Sequence, residues 1–188
     1  MNTNNEKRVF IGIPIGRQIK SILPIVKSAV NCNPIHIKWI PPENIHLTLS
    51  FLGNISNKDL PSLIQSVEKK ITSNNFQFTI TGTGVLPSSK SPKVLWLGIS
   101  MGIDELISLQ FQEEKSIRKF KENYQKITFT PHITIARIQR LHVKIDVLPF
   151  LNNVYSPIEL DINSICLYES QLFSEGAQYT VLNAFPLN

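Results

Sequence analysis

Cysteine is nearly missing from this chain of 188 residues, with Cys32 and Cys166 the only two. Neither stands in a CxxC or Cys/His spacing, so a disulfide scaffold and a thiolate metal site are disfavoured. Two reduced, partly buried thiols in a cytosolic protein are expected, with a single disulfide left open. No run of about 18 or more apolar residues occurs, and the opening MNTNNEKRVFIGIPIG lacks the apolar core of a signal peptide. A cytoplasmic protein without membrane contact is therefore expected. Acidic blocks and Gly/Ser-rich or Gln-rich tracts are also missing. With 42% hydrophobic and 18% charged residues, the chain has the composition of a folded globular protein rather than a disordered one. A Gly-x-Ser-x-Gly elbow and a Gly-rich phosphate loop are absent too, which argues against serine-nucleophile and P-loop chemistry.

What is present tilts toward anionic partners. The formal charge is +5 and the isoelectric point about 9.3, although Lys and Arg are scattered rather than clustered. Val9, Ile11 and Ile13 alternate along a first strand. Ile19, Ile22, Leu23, Val26 and Val30 form a helical stripe that Pro24 should kink or shift. HIKWIPPENIHLTLSFLG reads as two short strands around a Pro-Pro turn. Leu60, Leu63, Ile64, Val67 and Ile71 predict a second helix, with Ser56 or Asn57 as cap and Pro61 in its first turn. Strands follow in FQFTITGTGVLP and KVLWLGIS, then a helix over 103–120 carrying Ile103, Leu106, Ile107, Ile117 and Phe120. A short Pro-interrupted helix near 147–151 and two last strands, IELDINSICLYES and QYTVLNAFPL, complete the chain. This order predicts an α+β protein made by duplicating one unit. Two mainly antiparallel sheets should face a central cleft, helices packed outside, in one bilobal domain over 1–188.

Two strands say the same thing. HLTL at 46–49 and HITI at 132–135 both read His-apolar-Thr-apolar. With 4 His and 10 Thr in 188 positions, chance predicts roughly 0.04 such tetrads. Alternation along a strand puts His46 with Thr48, and His132 with Thr134, on one face, while Leu47, Leu49, Ile133 and Ile135 point into the core. If the halves are related by a pseudo-twofold, two imidazoles and two hydroxyls meet across the cleft. That set suits phosphodiester cleavage: one imidazole serves as base, the other as acid, and the hydroxyls bond non-bridging phosphate oxygens. Zinc is the competing reading, but Thr rather than a carboxylate follows each His by two residues, so no metal is expected. His36, in an alternating strand, and His142, in a basic loop, are expected to have no catalytic role.

The tetrads, with RVFIGIPI, KWIPPENIHLTLSFLG, PKVLWLGI, FTPHITIAR and LYESQLFSEGAQYTVL around them, resemble the two-histidine (2H) phosphoesterases. The likeness is to the RNA 2′,3′-cyclic phosphodiesterase group, also called 2′-5′ RNA ligases, over nearly the whole chain. It implies hydrolysis of an RNA-terminal 2′,3′-cyclic phosphate to a 2′-phosphomonoester, with reverse 2′-5′ joining as a minor activity. It also implies no cofactor, no protein partner and a monomer. In that scheme His46 is the proton donor, His132 the proton acceptor, and Thr48 and Thr134 hold the phosphate. Many relatives carry Arg where this chain has Ser50, Lys38 and Lys93. Arg137 matches a substrate-binding Arg, but strict alternation sets it opposite His132, so it reaches the cleft only if the strand twists or bulges; pairing at the surface is the alternative. Trp39, Phe51 and Phe129 are candidates to stack a base, whereas Trp96 is expected in the core. Two other readings are a 2H enzyme acting on small nucleotide cyclic phosphates or 2′,5′-oligoadenylates, and a noncatalytic RNA-binding module.

Overall fold

The computed structural model describes residues 5–30, 37–121, 128–139, 145–173 and 176–188. Cys32, His36 and His142 lie outside the described residues. The elements run β1 (Glu6–Pro14), α1 (Leu23–Ser28), β2 (Ile37–Trp39), β3 (His46–Ser56), α2 (Leu60–Lys70), β4 (Phe76–Leu86), β5 (Val94–Met101), α3 (Ile103–Ile117), β6 (Ile133–Ile138), α4 (Leu148–Leu151), β7 (Ile158–Ile162), β8 (Ser164–Phe173) and β9 (Gly176–Pro186). Single 3-10 turns precede β3 (Pro42–Asn44) and follow α3 (Arg118–Phe120).

Proline sets where two helices start. Ile19 and Ile22 are buried as the stripe predicts, but they lie in turns, and α1 begins only at Leu23 with Pro24 in its first turn. A proline needs no partner for a missing N–H there, whereas deeper in a helix it would remove a bond. In α2, Pro61 takes the same place, and Asp59 rather than Ser56 or Asn57 is the cap residue. Ser56 supports the turn instead: its hydroxyl accepts from the Asp59 N–H at 3.2 Å and donates to the Asp59 carboxylate at 2.7 Å. α3 buries Leu106, Leu109, Glu113, Ser116 and Ile117 and leaves Ile103 and Ile107 toward solvent.

The expected half-sheets are both present, β9-β8-β1-β3 and β6-β5-β4-β7, with β2 alongside β6. Every pairing is antiparallel. A single bridge, Leu47 opposite Ile133, joins the inner edges of the two halves into one nine-stranded sheet. Both residues are fully buried within one apolar cluster that draws on both halves. Removing either side chain should therefore destabilise the junction by about 2–5 kcal/mol. The helices α2 and α3 pack together, with the Ser66 hydroxyl donating to the Ser116 carbonyl at 2.8 Å. The pseudo-twofold relation is visible in the connections: β1-α1-β2-β3 and β5-α3-β6 each pass from a strand through a helix to the motif strand, with β2 added in the first.

Candidate active site

Because Leu47 and Ile133 face each other across the junction, their neighbours in sequence must turn to the other side of the sheet. His46, Thr48, His132 and Thr134 all line one cavity of about 420 Å³ there. Gly12 makes the close approach possible, since a Cβ at that position would meet the Leu47 carbonyl oxygen at 2.7 Å and the His46 ring at 3.4 Å.

Each imidazole is oriented by the same device. The Nδ1 of His46 lies 2.7 Å from the Asn44 carbonyl oxygen, and the Nδ1 of His132 lies 2.8 Å from that of Thr130. A carbonyl can only accept, so each Nδ1 carries hydrogen and each Nε2 is left for chemistry. Asn44 is itself tied down, its side-chain amide donating to the Ala177 carbonyl on β9 at 3.0 Å.

Arg137 lines the same cavity, and a bulge explains how. Thr134 pairs with Trp96 but Ala136 pairs with Leu95, which leaves Ile135 without an opposite residue. Ile135 and Ala136 are consequently both buried, alternation slips by one, and Arg137 returns to the face of His132. The first half repeats the slip. Thr48 pairs with Gly12 and Ser50 with Ile11, so Leu49 is unopposed, Leu49 and Ser50 are both buried, and Phe51 comes out toward the cavity, 62% exposed. Phe51 is thus the positional counterpart of Arg137.

The surroundings of the two histidines differ. His46 sits among Phe10 at 4.7 Å, Tyr179 at 5.1 Å and Tyr168 at 5.9 Å between ring centroids. Burial in this aromatic box lowers the His46 pKa below the usual 6.5; the Asn44 carbonyl opposes the shift and the Arg137 charge adds to it. His132 has one aromatic neighbour among the described residues, Trp96, edge-on at 6.2 Å. Among these residues, no group of three or more His, Cys, Asp or Glu comes together as metal ligands.

The model for LigT-like phosphoesterases matches residues 14–96, which include the first motif. An RNA 2′,3′-cyclic phosphodiesterase of Aquifex aeolicus (strain VF5) is 33% identical over 186 residues, 96% of this chain and 97% of that one. The chain belongs to the LigT-like phosphoesterase family. A relative of the same name from Thermotoga maritima is 27% identical over 177 residues, 93% of this chain and 92% of its own. Among solved structures, E. coli LigT complexed with 3′-AMP superposes with a TM-score of 0.76 at 22% identity, covering 97% of this chain and 99% of that one, a likeness of fold.

Within this LigT-like chain, not every expected base-stacking residue reaches the site. A second cavity of about 390 Å³ shares Thr48, Phe51 and His132 with the first and adds Phe129, Leu86 and Trp96. Phe51 and Phe129 are therefore in place. Trp39 lines neither cavity; it packs half-buried against the core with the Lys27 ammonium over its ring at 5.3 Å. Trp96, expected in the core, is half-buried at the cavity wall instead. It pairs with Thr134 across β5 and β6 and lies over Gly84, where a Cβ would come within 2.1 Å of the indole. Ser50 lies along the second cavity, with its hydroxyl donating to Glu113 at 2.6 Å. Sequence reasoning missed Phe10, Tyr168 and Tyr179. Phe10 had a signal, standing on the face of β1 opposite the apolar Val9, Ile11 and Ile13; the two tyrosines arrive from β8 and β9, more than a hundred residues away.

Proposed function

We propose that this protein hydrolyses the 2′,3′-cyclic phosphate at the end of an RNA to a 2′-phosphomonoester, without a metal ion. The observation that carries this reading is the convergence of two imidazoles, each oriented through Nδ1, two threonine hydroxyls and one guanidinium on a single cavity. The names of the relatives from Aquifex and Thermotoga support the substrate class.

In this reading the His132 Nε2 lone pair takes a proton from water, and the resulting hydroxide attacks phosphorus. The bond from phosphorus to the 3′ oxygen breaks as His46 Nε2–H delivers its proton there, leaving a 3′ hydroxyl and a 2′ phosphate. Thr48 and Thr134 donate hydrogen bonds to the non-bridging oxygens as charge builds on them, and Arg137 pairs with the phosphate anion. Burial lowers the His46 pKa in the empty cleft, and a bound phosphodiester anion offsets the Arg137 charge and so favours the imidazolium that donates the proton. With the 5′ hydroxyl of a second RNA in place of water, the same steps open the cyclic phosphate to a 2′-5′ linkage and a free 3′ hydroxyl, a minor ligase activity.

The test is incubation of the purified protein, in excess EDTA, with an RNA oligonucleotide ending in a 2′,3′-cyclic phosphate, the product read by phosphorus NMR. A 2′-phosphomonoester is expected. A 3′-phosphomonoester, or binding without turnover, contradicts the proposal.

A further inference from the structure

A polar groove of about 430 Å³ continues from the candidate catalytic cavity, and Arg8 stands where the two meet. Arg8 lines the cavity that holds His46 and His132, and it also lines the groove with Lys7, Asn54, Ser170 and Gln171. The register fixes its place. β1 runs antiparallel to β3 with Gly12 opposite Thr48 and Arg8 opposite Asn54, so Arg8 lies about 13 Å along the strand from the motif, four residues at ~3.3 Å each.

The charges around it are mostly spoken for. Lys7 is ion-paired to Glu169, whose carboxyl is held below its ordinary range by that lysine, and Glu6 lies along the groove as well. Arg8 is exposed and, among the described residues, has no hydrogen bond or ion pair. An RNA end seated with its terminal phosphate between the histidines must send the rest of its chain out of the cavity. The other way out, past Trp96, Phe129, Leu86 and Phe51, exposes a mainly apolar wall suited to a base, with Gln110, Glu114 and Lys121 also along it. The polar groove is the route that suits a charged backbone, and a guanidinium matches the two free oxygens of a phosphodiester with two parallel hydrogen bonds.

We infer that Arg8 is a second phosphate site: it binds the phosphodiester upstream of the reacting end, so that the protein favours RNA ends of two or more nucleotides over mononucleoside cyclic phosphates. This rests on the cyclic-phosphodiesterase reading above. The experiment compares kcat/KM for adenosine 2′,3′-cyclic phosphate and for a hexanucleotide ending in a 2′,3′-cyclic phosphate, in the native protein, Arg8→Ala and Arg8→Lys. Losing a charge-assisted contact should reduce turnover of the hexanucleotide by roughly ten- to a hundredfold, at least about tenfold more than that of the mononucleotide. The salt dependence on the hexanucleotide should become shallower by about 0.7 in log–log slope in Arg8→Ala and recover in Arg8→Lys. Equal losses on both substrates, or no loss on the hexanucleotide, would overturn the assignment while leaving the phosphodiesterase reading intact. A native protein inert on both substrates would remove the underlying reading and the Arg8 site with it.

Discussion

The two halves of the cleft share their backbone and differ in their side chains. Both use the carbonyl two residues before the histidine to fix Nδ1, and both slip register one residue after the threonine. Yet the first half surrounds His46 with Phe10, Tyr168 and Tyr179 and presents Phe51, whereas the second, among the described residues, sets only the Trp96 ring beside His132 and presents Arg137. The repeated backbone thus supplies two equivalently placed imidazoles, and their side-chain surroundings make them unequal. In the proposed reading, symmetry gives the geometry and asymmetry the division into acid and base.

The strongest way to break that assignment is to remove each histidine separately. His46→Ala and His132→Ala should each lower kcat by about 10²–10⁴ on an RNA cyclic phosphate. The two become distinguishable on a diester whose leaving group is a weakly basic nitrophenolate, which departs without a proton. There His46→Ala should recover most of its rate and His132→Ala should not. Equal recovery by both variants contradicts the division into acid and base.

A smaller effect tests the aromatic box. Burial disfavours the imidazolium, so the free protein should lose activity, read as kcat/KM, as pH rises through a His46 pKa below 6.5. The limb in kcat, which reports the complex, should lie at higher pH because the bound anion restores the charge. Tyr179 is half-buried at the edge of the box, and Tyr179→Ser admits water to the His46 ring. The kcat/KM limb should then move up toward 6.5, and the His46 titration seen by NMR should move with it. A limb that stays put would mean that the tyrosine does not set the basicity of this histidine.

Much of this site was legible in the sequence because strand parity is a two-residue rule that any reader can apply to HLTL and HITI. What parity could not show was its own interruption. Neither bulge carries a Gly or Pro at the extra residue; Leu49 and Ile135 look like any core position, and only a small residue next to each, Ser50 and Ala136, hints that two successive side chains turn inward. That is why alternation alone leaves Arg137 opposite His132, and the bulge, the condition on which it reaches the cleft, brings it into the cavity. The helix around Val26 was shortened by a local rule, the position of Pro24, which the sequence did announce. The aromatic box was hidden for the opposite reason, since it depends on β8 and β9 pairing beside β1, a long-range event that no local pattern records.

The two bulges also differ underneath, and the difference should appear in stability. Below the second lies Ala136, fully buried among apolar groups; below the first, Ser50 donates to Glu113, a completely buried carboxyl whose Oε1 has no partner among the described residues. Burial pushes that carboxyl up to about 8, with the Ser50 bond opposing. The folded chain therefore holds a proton on Glu113 that the unfolded chain releases near the ordinary value of 4.5, so stability from this residue is complete below pH 4.5 and declines as pH climbs toward 8. The lowered pKa of His46 acts in the opposite sense just below 6.5, so the informative quantity is the difference between the native protein and Glu113→Gln. Urea midpoints at pH 5 and pH 8 should fall further apart in the native protein than in the variant, which keeps the Ser50 contact and cannot ionise. In the other half, Ala136→Ser buries a hydroxyl with no acceptor and should lower stability by about 1–3 kcal/mol at both pH values alike. Parallel pH curves for the native protein and Glu113→Gln would show that the acid beneath the first motif is not held neutral by the fold.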